Sequence, residues 1–222
     1  MSRENFTIVA IDGGAATGKS STASAIAREM NYLHVDTGAH YRTLAFALQQ
    51  SGIPPKDSDH LKEALASLAL ESIVEGRQAF LAVNDQRPRD EEIRSPGVNA
   101  VVALYAAIPV IRQILFKYQR EQPAMARQHG FSGLVMEGRD IGSVIFPNAT
   151  FRFYLHADEE TRALRRKKQG QDDSIRQRDA IDTNRKAAPL KCPPGATMVD
   201  TAQHDLQGVI QLLLESILPS QD

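Results

Sequence analysis

Gly13-Gly14-Ala15-Ala16-Thr17-Gly18-Lys19-Ser20 fits the pattern G-x-x-x-x-G-K-[ST]. It follows the apolar run Phe6-Thr7-Ile8-Val9-Ala10-Ile11, which reads as a buried strand. Ser21 to Met30 then reads as a helix with Ala, Ile and Met on one side. That strand–loop–helix order is the context a phosphate-binding P-loop requires. Glycines let successive backbone N–H groups turn inward on phosphates, and the helix N-terminus adds its partial positive charge. Lys19 reaches the β- and γ-phosphates of a nucleoside triphosphate, and the Ser20 hydroxyl is placed to ligate Mg²⁺. The expected triphosphate-binding residues are Gly13, Gly14, Ala15, Ala16, Thr17, Gly18, Lys19, Ser20 and Ser21.

Working outward, 222 residues suffice for one well-buried α/β domain with a small appended subdomain. The hydrophobic share of 42% and charged share of 24% are ordinary for a globular protein. Net charge is −1, so no overall basic field argues for nucleic acid or an anionic membrane. An anionic substrate must be met by local arginines instead. Cys192 is the single cysteine, which excludes an intrachain disulfide and suits a reducing compartment. It sits in Leu190-Lys191-Cys192-Pro193-Pro194-Gly195 without an activating partner, so no thiol chemistry is expected of it. No signal peptide and no apolar run of membrane-spanning length are visible, and the expectation is a soluble cytoplasmic protein.

Four further apolar segments read as strands of a parallel sheet: Leu33-His34-Val35 before Asp36, Leu134-Val135-Met136 before Glu137, Phe151 to Leu155, and Thr197-Met198-Val199 before Asp200. Helical patterns lie between them, the alternation of a doubly wound fold. Ile111, Ile114, Leu115 and Tyr118 form one stripe behind Pro109, a helix start; Leu206, Val209, Ile210, Leu213 and Ile217 form another. From Pro54 to Pro96 the pattern breaks into a short helix (His60 to Leu68) and the strand candidates Ser72-Ile73-Val74, Gln78 to Val83 and Gln86-Arg87. Asn84-Asp85 is the turn between the last two. This predicts a small antiparallel excursion outside the main sheet.

Arginine suits phosphoryl transfer because its planar fork holds two phosphate oxygens at once. Arg42, in Asp36-Thr37-Gly38-Ala39-His40-Tyr41-Arg42, lies just beyond a strand end, where ligands sit in open α/β sheets. Arg139 and Asp140 occupy the equivalent place in Glu137-Gly138-Arg139-Asp140. Arg162, Arg165 and Arg166 share a helix face, either as phosphate contacts or as cations favoured at a helix C-terminus. Arg178, Asp182 and Arg185 fall at i, i+4 and i+7, again a functional face or a surface ion pair. The histidines show no metal-ligand spacing, and His40 reads as a helix surface or packing residue.

These blocks resemble the bacterial cytidylate (CMP/dCMP) kinases, nearly end to end. The resemblance rests on Ile11-Asp12-Gly13-Gly14, Asp36 to Arg42, Glu91-Glu92-Ile93-Arg94, and Ala107-Ile108-Pro109-Val110-Ile111-Arg112. It rests further on Gly138-Arg139-Asp140-Ile141-Gly142-Ser143-Val144-Ile145-Phe146-Pro147, and on Arg178-Asp179 with Asp182 to Arg185 before Ala188-Pro189-Leu190. It implies a three-layer P-loop fold with a five-stranded parallel sheet. Residues 1–222 would form one kinase domain, with a nucleoside-monophosphate-binding insertion at about 54–97 and a lid at about 166–182. ATP and Mg²⁺ would be the cofactors, and the partners only small molecules, with no nucleic acid or membrane and a monomeric state.

Thr37, Arg42, Arg139 and Arg185 would hold the acceptor's α-phosphate, and Arg112 and Asp140 the cytosine edge. Arg178 and Asp182 would face the sugar. Arg165, with Arg178 shared, would meet the transferring phosphoryl group, making Lys19, Arg139, Arg165 and Arg178 the catalytic set. Asp36 or Glu137 would support Mg²⁺ from beyond its first shell. Two departures stand out. Ala103, in Val101-Val102-Ala103-Leu104-Tyr105, replaces a serine that touches the base, and Gln169 to Ser174 cross the lid in a path about ten residues shorter than usual. The expected reaction is ATP + CMP (or dCMP) ⇌ ADP + CDP (or dCDP). The alternatives are a kinase for UMP, AMP or shikimate on the same fold, and an ATP-binding switch that transfers nothing.

Overall fold

The computed structural model describes residues 6–168, 175–185 and 187–218, excluding the side chains of residues 175–178. The lid crossing Gln169 to Ser174 lies outside the described residues, as does the side chain of Arg178.

The chain runs β1 (Thr7–Gly13), α1 (Lys19–Glu29), β2 (Tyr32–Asp36), α2 (Thr37–Gln50), α3 (Asp59–Ala66), β3 (Leu70–Glu75), β4 (Gln78–Val83), α4 (Asp90–Ile93), α5 (Pro96–Ala106), α6 (Pro109–Gln128) and β5 (Gly133–Gly138). A π-helical turn (Ile141–Ile145), β6 (Phe151–His156), α7 (Glu159–Lys168), α8 (Ile175–Asn184), β7 (Thr197–Asp200) and α9 (Leu206–Ile217) complete it. The short apolar runs become strands because a parallel sheet is covered on both faces. Val9, Ala10, Ile11, Leu33, Val35, Leu134, Val135 and Met136 are accordingly all fully buried. On one face Val9, Ile11, Val135 and Phe153 pack against Ile26 of α1 and Val209, Leu213 and Ile217 of α9. On the other, Ala10, Leu33, Val35 and Met136 meet Ala126 of α6 and Ile141 and Ile145 of the π-helical turn. The three layers are thus α/β/α.

Among the described residues the sheet has seven strands, in the order β3-β4-β2-β5-β1-β6-β7, not the five expected. The five anticipated strands are present and mutually parallel; β3 and β4 pair antiparallel and continue the sheet beyond β2. The excursion is therefore part of the main sheet. It is joined through His34↔Gln78 and Val35↔Ala79: Leu81 and Val83 of β4 bury their side chains in the same core as α2, α5 and α6, and Ala79 packs in the core with Leu33 and Val35. The expected strand Gln86-Arg87 reduces to one bridge, Val83↔Gln86, around a turn with Asn84 and Asp85 both at positive φ. Pro109 opens α6, as its place before the apolar stripe predicts.

Register decides where the site falls. Ile11 stands beside Glu137, Asp12 beside Gly138, and Asp36 beside Glu137, so β1, β5 and β2 all end at one edge. That carboxyl edge is where open α/β sheets bind ligands.

Candidate active site

The P-loop turns out of β1 at Gly13, where a Cβ would lie 2.1 Å from the Leu155 carbonyl oxygen, so only glycine fits. Gly18 caps α1 at φ 90°, a left-handed conformation that costs glycine little. Lys19 is buried; its Nζ donates to the Gly14 carbonyl at 2.6 Å and lies 3.4 Å from Thr17 Oγ1. Burial pushes its ammonium down to about 7, with Arg139 acting the same way and Glu137, Asp36 and Asp12 opposing. A triphosphate entering the loop would restore that charge. Ser20 Oγ donates to Glu137 Oε2 at 2.9 Å, and Thr37 Oγ1 donates to the Glu137 carbonyl at 2.7 Å.

Beyond β5, Asp140 is buried and accepts from Arg112 Nη2 at 2.5 Å. Burial raises its carboxyl pKa, while Arg112 and Arg185 pull it back. The loop carrying Arg139 and Asp140 is tied to β1 by Asp12. The two Asp12 carboxylate oxygens accept from the backbone N–H of Ile141 and of Gly142, each at 2.7 Å. Burial pushes Asp12 up to about 6 despite those two bonds. Asp36 accepts from the Ala39 N–H at 3.0 Å, capping α2, and from Arg94 Nη2 at 3.2 Å.

Two carboxylates of α8 reach into this edge. Asp182 accepts from Arg139 Nε at 2.9 Å and from Arg185 Nη1 at 3.4 Å. Asp179 accepts from the Ala15 N–H of the P-loop at 3.2 Å and pairs with Arg162 of α7. A cleft of about 160 Å³ brings together Ala15, Ala16, Lys19, Ser20, Thr37, Arg42, Arg139, Asp140, Asp182 and Arg185, with Ala103 and Arg166 on its wall. Arg42 also donates to the Gly38 carbonyl at 3.1 Å. Arg112 adjoins this group through Asp140. Arg165 stands elsewhere: it donates to Thr201 Oγ1 at 2.9 Å and to the Thr201 carbonyl at 2.5 Å. It lines a second cleft of about 380 Å³ with Thr17, Gly18, Ser21, His204 and Leu206.

Asp12, His34, Arg94 and Asp179 had no role in the sequence reading, and Arg162 and Arg166 were left open between phosphate contacts and helix-end cations. Asp12 and Arg94 lay inside the blocks that carry the family resemblance, and Asp179 directly follows Arg178. The signal for His34 was a polar residue inside the apolar run Leu33-His34-Val35. A divalent cation fits the residues present. The Ser20 hydroxyl and the Glu137 and Asp36 carboxylates offer hard oxygens around one cleft. Among the described residues no group of three His, Cys, Asp or Glu makes an all-protein cage. Mg²⁺ takes one or two protein oxygens and keeps waters and substrate phosphates as its other ligands.

The description "Cytidylate kinase" belongs to the family model that matches residues 9–218. The chain belongs to the cytidylate kinase family. The cytidylate kinase of Caldanaerobacter subterraneus subsp. tengcongensis is 34% identical over 96% of this chain and 96% of its own length. That of Pelotomaculum thermopropionicum is 35% identical with the same coverages. A sugar kinase of a Janibacter species superposes with a TM-score of 0.50 at 13% identity, covering 96% of this chain and 94% of that one, a likeness of fold alone. A cytidylate kinase is a nucleotide-binding phosphotransferase acting on CMP. Such a cleft must answer two sets of phosphates with cations, and Lys19, Arg42, Arg139 and Arg185 converge here. No single helix among the described residues is long and apolar enough to cross a membrane.

Proposed function

We propose that this chain transfers the γ-phosphoryl group of ATP directly to CMP or dCMP, giving ADP and CDP or dCDP. The observation that carries the reading is the buried Arg112–Asp140 pair on the same edge as the P-loop lysine. Cytosine presents N3 and O2 as acceptors and its N4 amino group as a donor. An arginine and a carboxylate are complementary to that edge, whereas the N3–H and O4 of uracil leave both mismatched. Thr37, Arg42, Arg139 and Arg185 take the acceptor phosphate, and Asp182 and Arg178 the sugar. Lys19 and the P-loop N–H groups take the donor phosphates. The adenosine end of ATP lies toward the second cleft, where Arg165 stands. Residues 54–97 act as the acceptor-binding insertion and residues 166–182 as the lid.

The acceptor phosphate is already anionic, so the protein's task is positioning and charge stabilisation, with no covalent enzyme intermediate. Arg139 shares the cleft with Lys19, close enough to act on its charge, and balances the charge that develops in transfer. Mg²⁺, held by Ser20 with Glu137 or Asp36 beyond it, supplies charge neutralisation on the donor phosphates when bound. Closure of the lid excludes water and suppresses hydrolysis. The reading includes a monomer in the cytoplasm, to which the single, undisulfided Cys192 lends support.

The test is ADP release from MgATP by the purified chain with CMP, dCMP, UMP, AMP or shikimate, and with no acceptor. Fast release with CMP and dCMP alone is expected. Equal release without any acceptor, or none with CMP, would overturn the reading.

A further inference from the structure

We propose that His34 is a positioning residue for the cation-binding hydroxyl of Ser20, acting through Glu137. The proposal rests on the kinase reading above and assigns the supporting carboxylate to Glu137 rather than Asp36.

His34 lies on β2 with Val135 of β5 as its register partner. Glu137 is two residues further along β5 and so shares that face of the sheet with His34. His34 is 5% exposed and Glu137 2%. His34 Nε2 stands 3.0 Å from Glu137 Oε1. A carboxylate only accepts, so the imidazole Nε2–H is the donor. The second oxygen, Oε2, accepts the Ser20 hydroxyl proton at 2.9 Å.

Each carboxylate oxygen therefore has one donor, and the carboxylate has one orientation. With its proton given to Glu137, the Ser20 oxygen keeps its lone pairs for a cation. Partners of this kind, one bond removed from a metal ligand, orient the ligand and raise its basicity. Asp36 is otherwise engaged, with Arg94 and with the Ala39 N–H. The competing account is a core histidine that merely satisfies its own burial. The two accounts differ in one respect: only a positioning role makes the effect of His34 depend on the metal.

The experiment is equilibrium binding of the non-hydrolysable β,γ-imido analogue of ATP to the full chain, in excess Mg²⁺ and in EDTA. His34→Leu removes the donor. His34→Gln places an amide N–H where the imidazole Nε2–H stood. We expect His34→Leu to weaken binding about tenfold in Mg²⁺ and to leave binding in EDTA unchanged. His34→Gln should recover most of that loss. An equal loss with and without metal, no loss at all, or no recovery by His34→Gln would overturn the proposal. Should His34→Leu fail to fold, His34→Asn stays polar but falls short of Glu137 Oε1, and the same metal-dependent loss is expected. The assay contains no CMP, so the two readings fail separately. A wild-type chain that shows the metal-dependent pattern but never phosphorylates CMP overturns the kinase reading alone. An active chain whose His34 variants lose nothing in Mg²⁺ overturns the positioning role alone.

Discussion

The end of β5 and the helices α7 and α8 bring charge to the same edge by different physics. Every residue of β5 from Gly133 to Gly138 is buried, and the turn into Ile141 and Gly142 is tied down by Asp12 on two backbone N–H groups. None of the residues of α7 is buried. Its neighbour α8 meets the site through Asp179 on Ala15 and Arg162, and through Asp182 on Arg139 and Arg185. Those partners are N–H groups and cations that phosphates need. The strand end is tied down by bonds within the protein's own backbone, whereas α8 is held by carboxylates on groups that the proposed substrates would claim. These ion pairs are largely shielded from water, with side chains 4% to 18% exposed, so a carboxylate leaves them only when another anion takes its place.

Removing a cation from the organised half should do the most damage. Arg139→Ala is expected to lower kcat/KM for CMP about 10³-fold, in line with the removal of a charge-stabilising arginine. Binding of the ATP analogue, read by calorimetry, should change little. Unchanged turnover would mean that the lid, not the strand end, meets the transferring charge. Asp140→Asn comes next. Its amide can both donate and accept, so the ratio of kcat/KM for CMP over UMP should fall about 10²-fold. An unaltered ratio would mean that the base is read by residues other than the Arg112–Asp140 pair.

The same division explains what could be read from the residues in order. Buried parallel strands leave continuous apolar runs, so Asp36, Glu137 and Asp200 at their ends were visible, and Arg139 and Asp140 with them. The addition of β3 and β4 to the sheet was not visible. Only two register pairs join β4 to β2, and nothing local to Gln78–Val83 names its partner. Nor does helical spacing say which of Arg162, Arg165 and Arg166 faces which cleft. Neighbours on a helix point about 100° apart, and the rotation of α7 is set by the contacts of Arg165 with Thr201 and of Arg162 with Asp179 and the Ala15 carbonyl. Asp12 reads only as the residue before the P-loop glycines and His34 as a strand residue until register places them beside Gly138 and Val135.

Burial in the organised half also leaves a signature in pH. His40 is fully buried, edge-on to Tyr118, and burial pushes its imidazole down to about 4 from an ordinary 6.5. The unfolded chain binds a proton there below pH 6.5 and the folded chain does not, so stability is lost as pH falls from 6.5 toward 4. Asp12, pushed up to about 6 from 3.8, acts in reverse. The folded chain keeps a proton that the unfolded chain has released, so stability is lost as pH rises from 3.8 through 6. Between pH 4 and 6 each changes stability by about 1 kcal/mol per pH unit, with slopes of opposite sign. The wild-type contribution of this pair is therefore nearly flat. His40→Leu should make thermal stability fall as pH rises from 4 to 6, and Asp12→Asn should make it fall toward acid. Identical pH profiles for wild type and both variants would show that neither group titrates as its burial requires.

The smallest effect is the one that separates the two halves by sign. Asp179 accepts from the Ala15 N–H and sits beside Gly14, where a Cβ would come within 3.3 Å of its Oδ2. A phosphate seated in the loop needs that N–H, so the carboxylate must leave first. Asp179→Ala removes the competitor and frees Arg162 from its pair. Binding of the ATP analogue should tighten about fivefold, the scale of the one Ala15 N–H hydrogen bond no longer competed for. Every substitution at the strand end is expected to cost function, and this one to gain affinity. Calorimetry on Asp179→Ala reads the sign directly. Weaker binding would make Asp179 part of the nucleotide site, and the two halves would then share one sign.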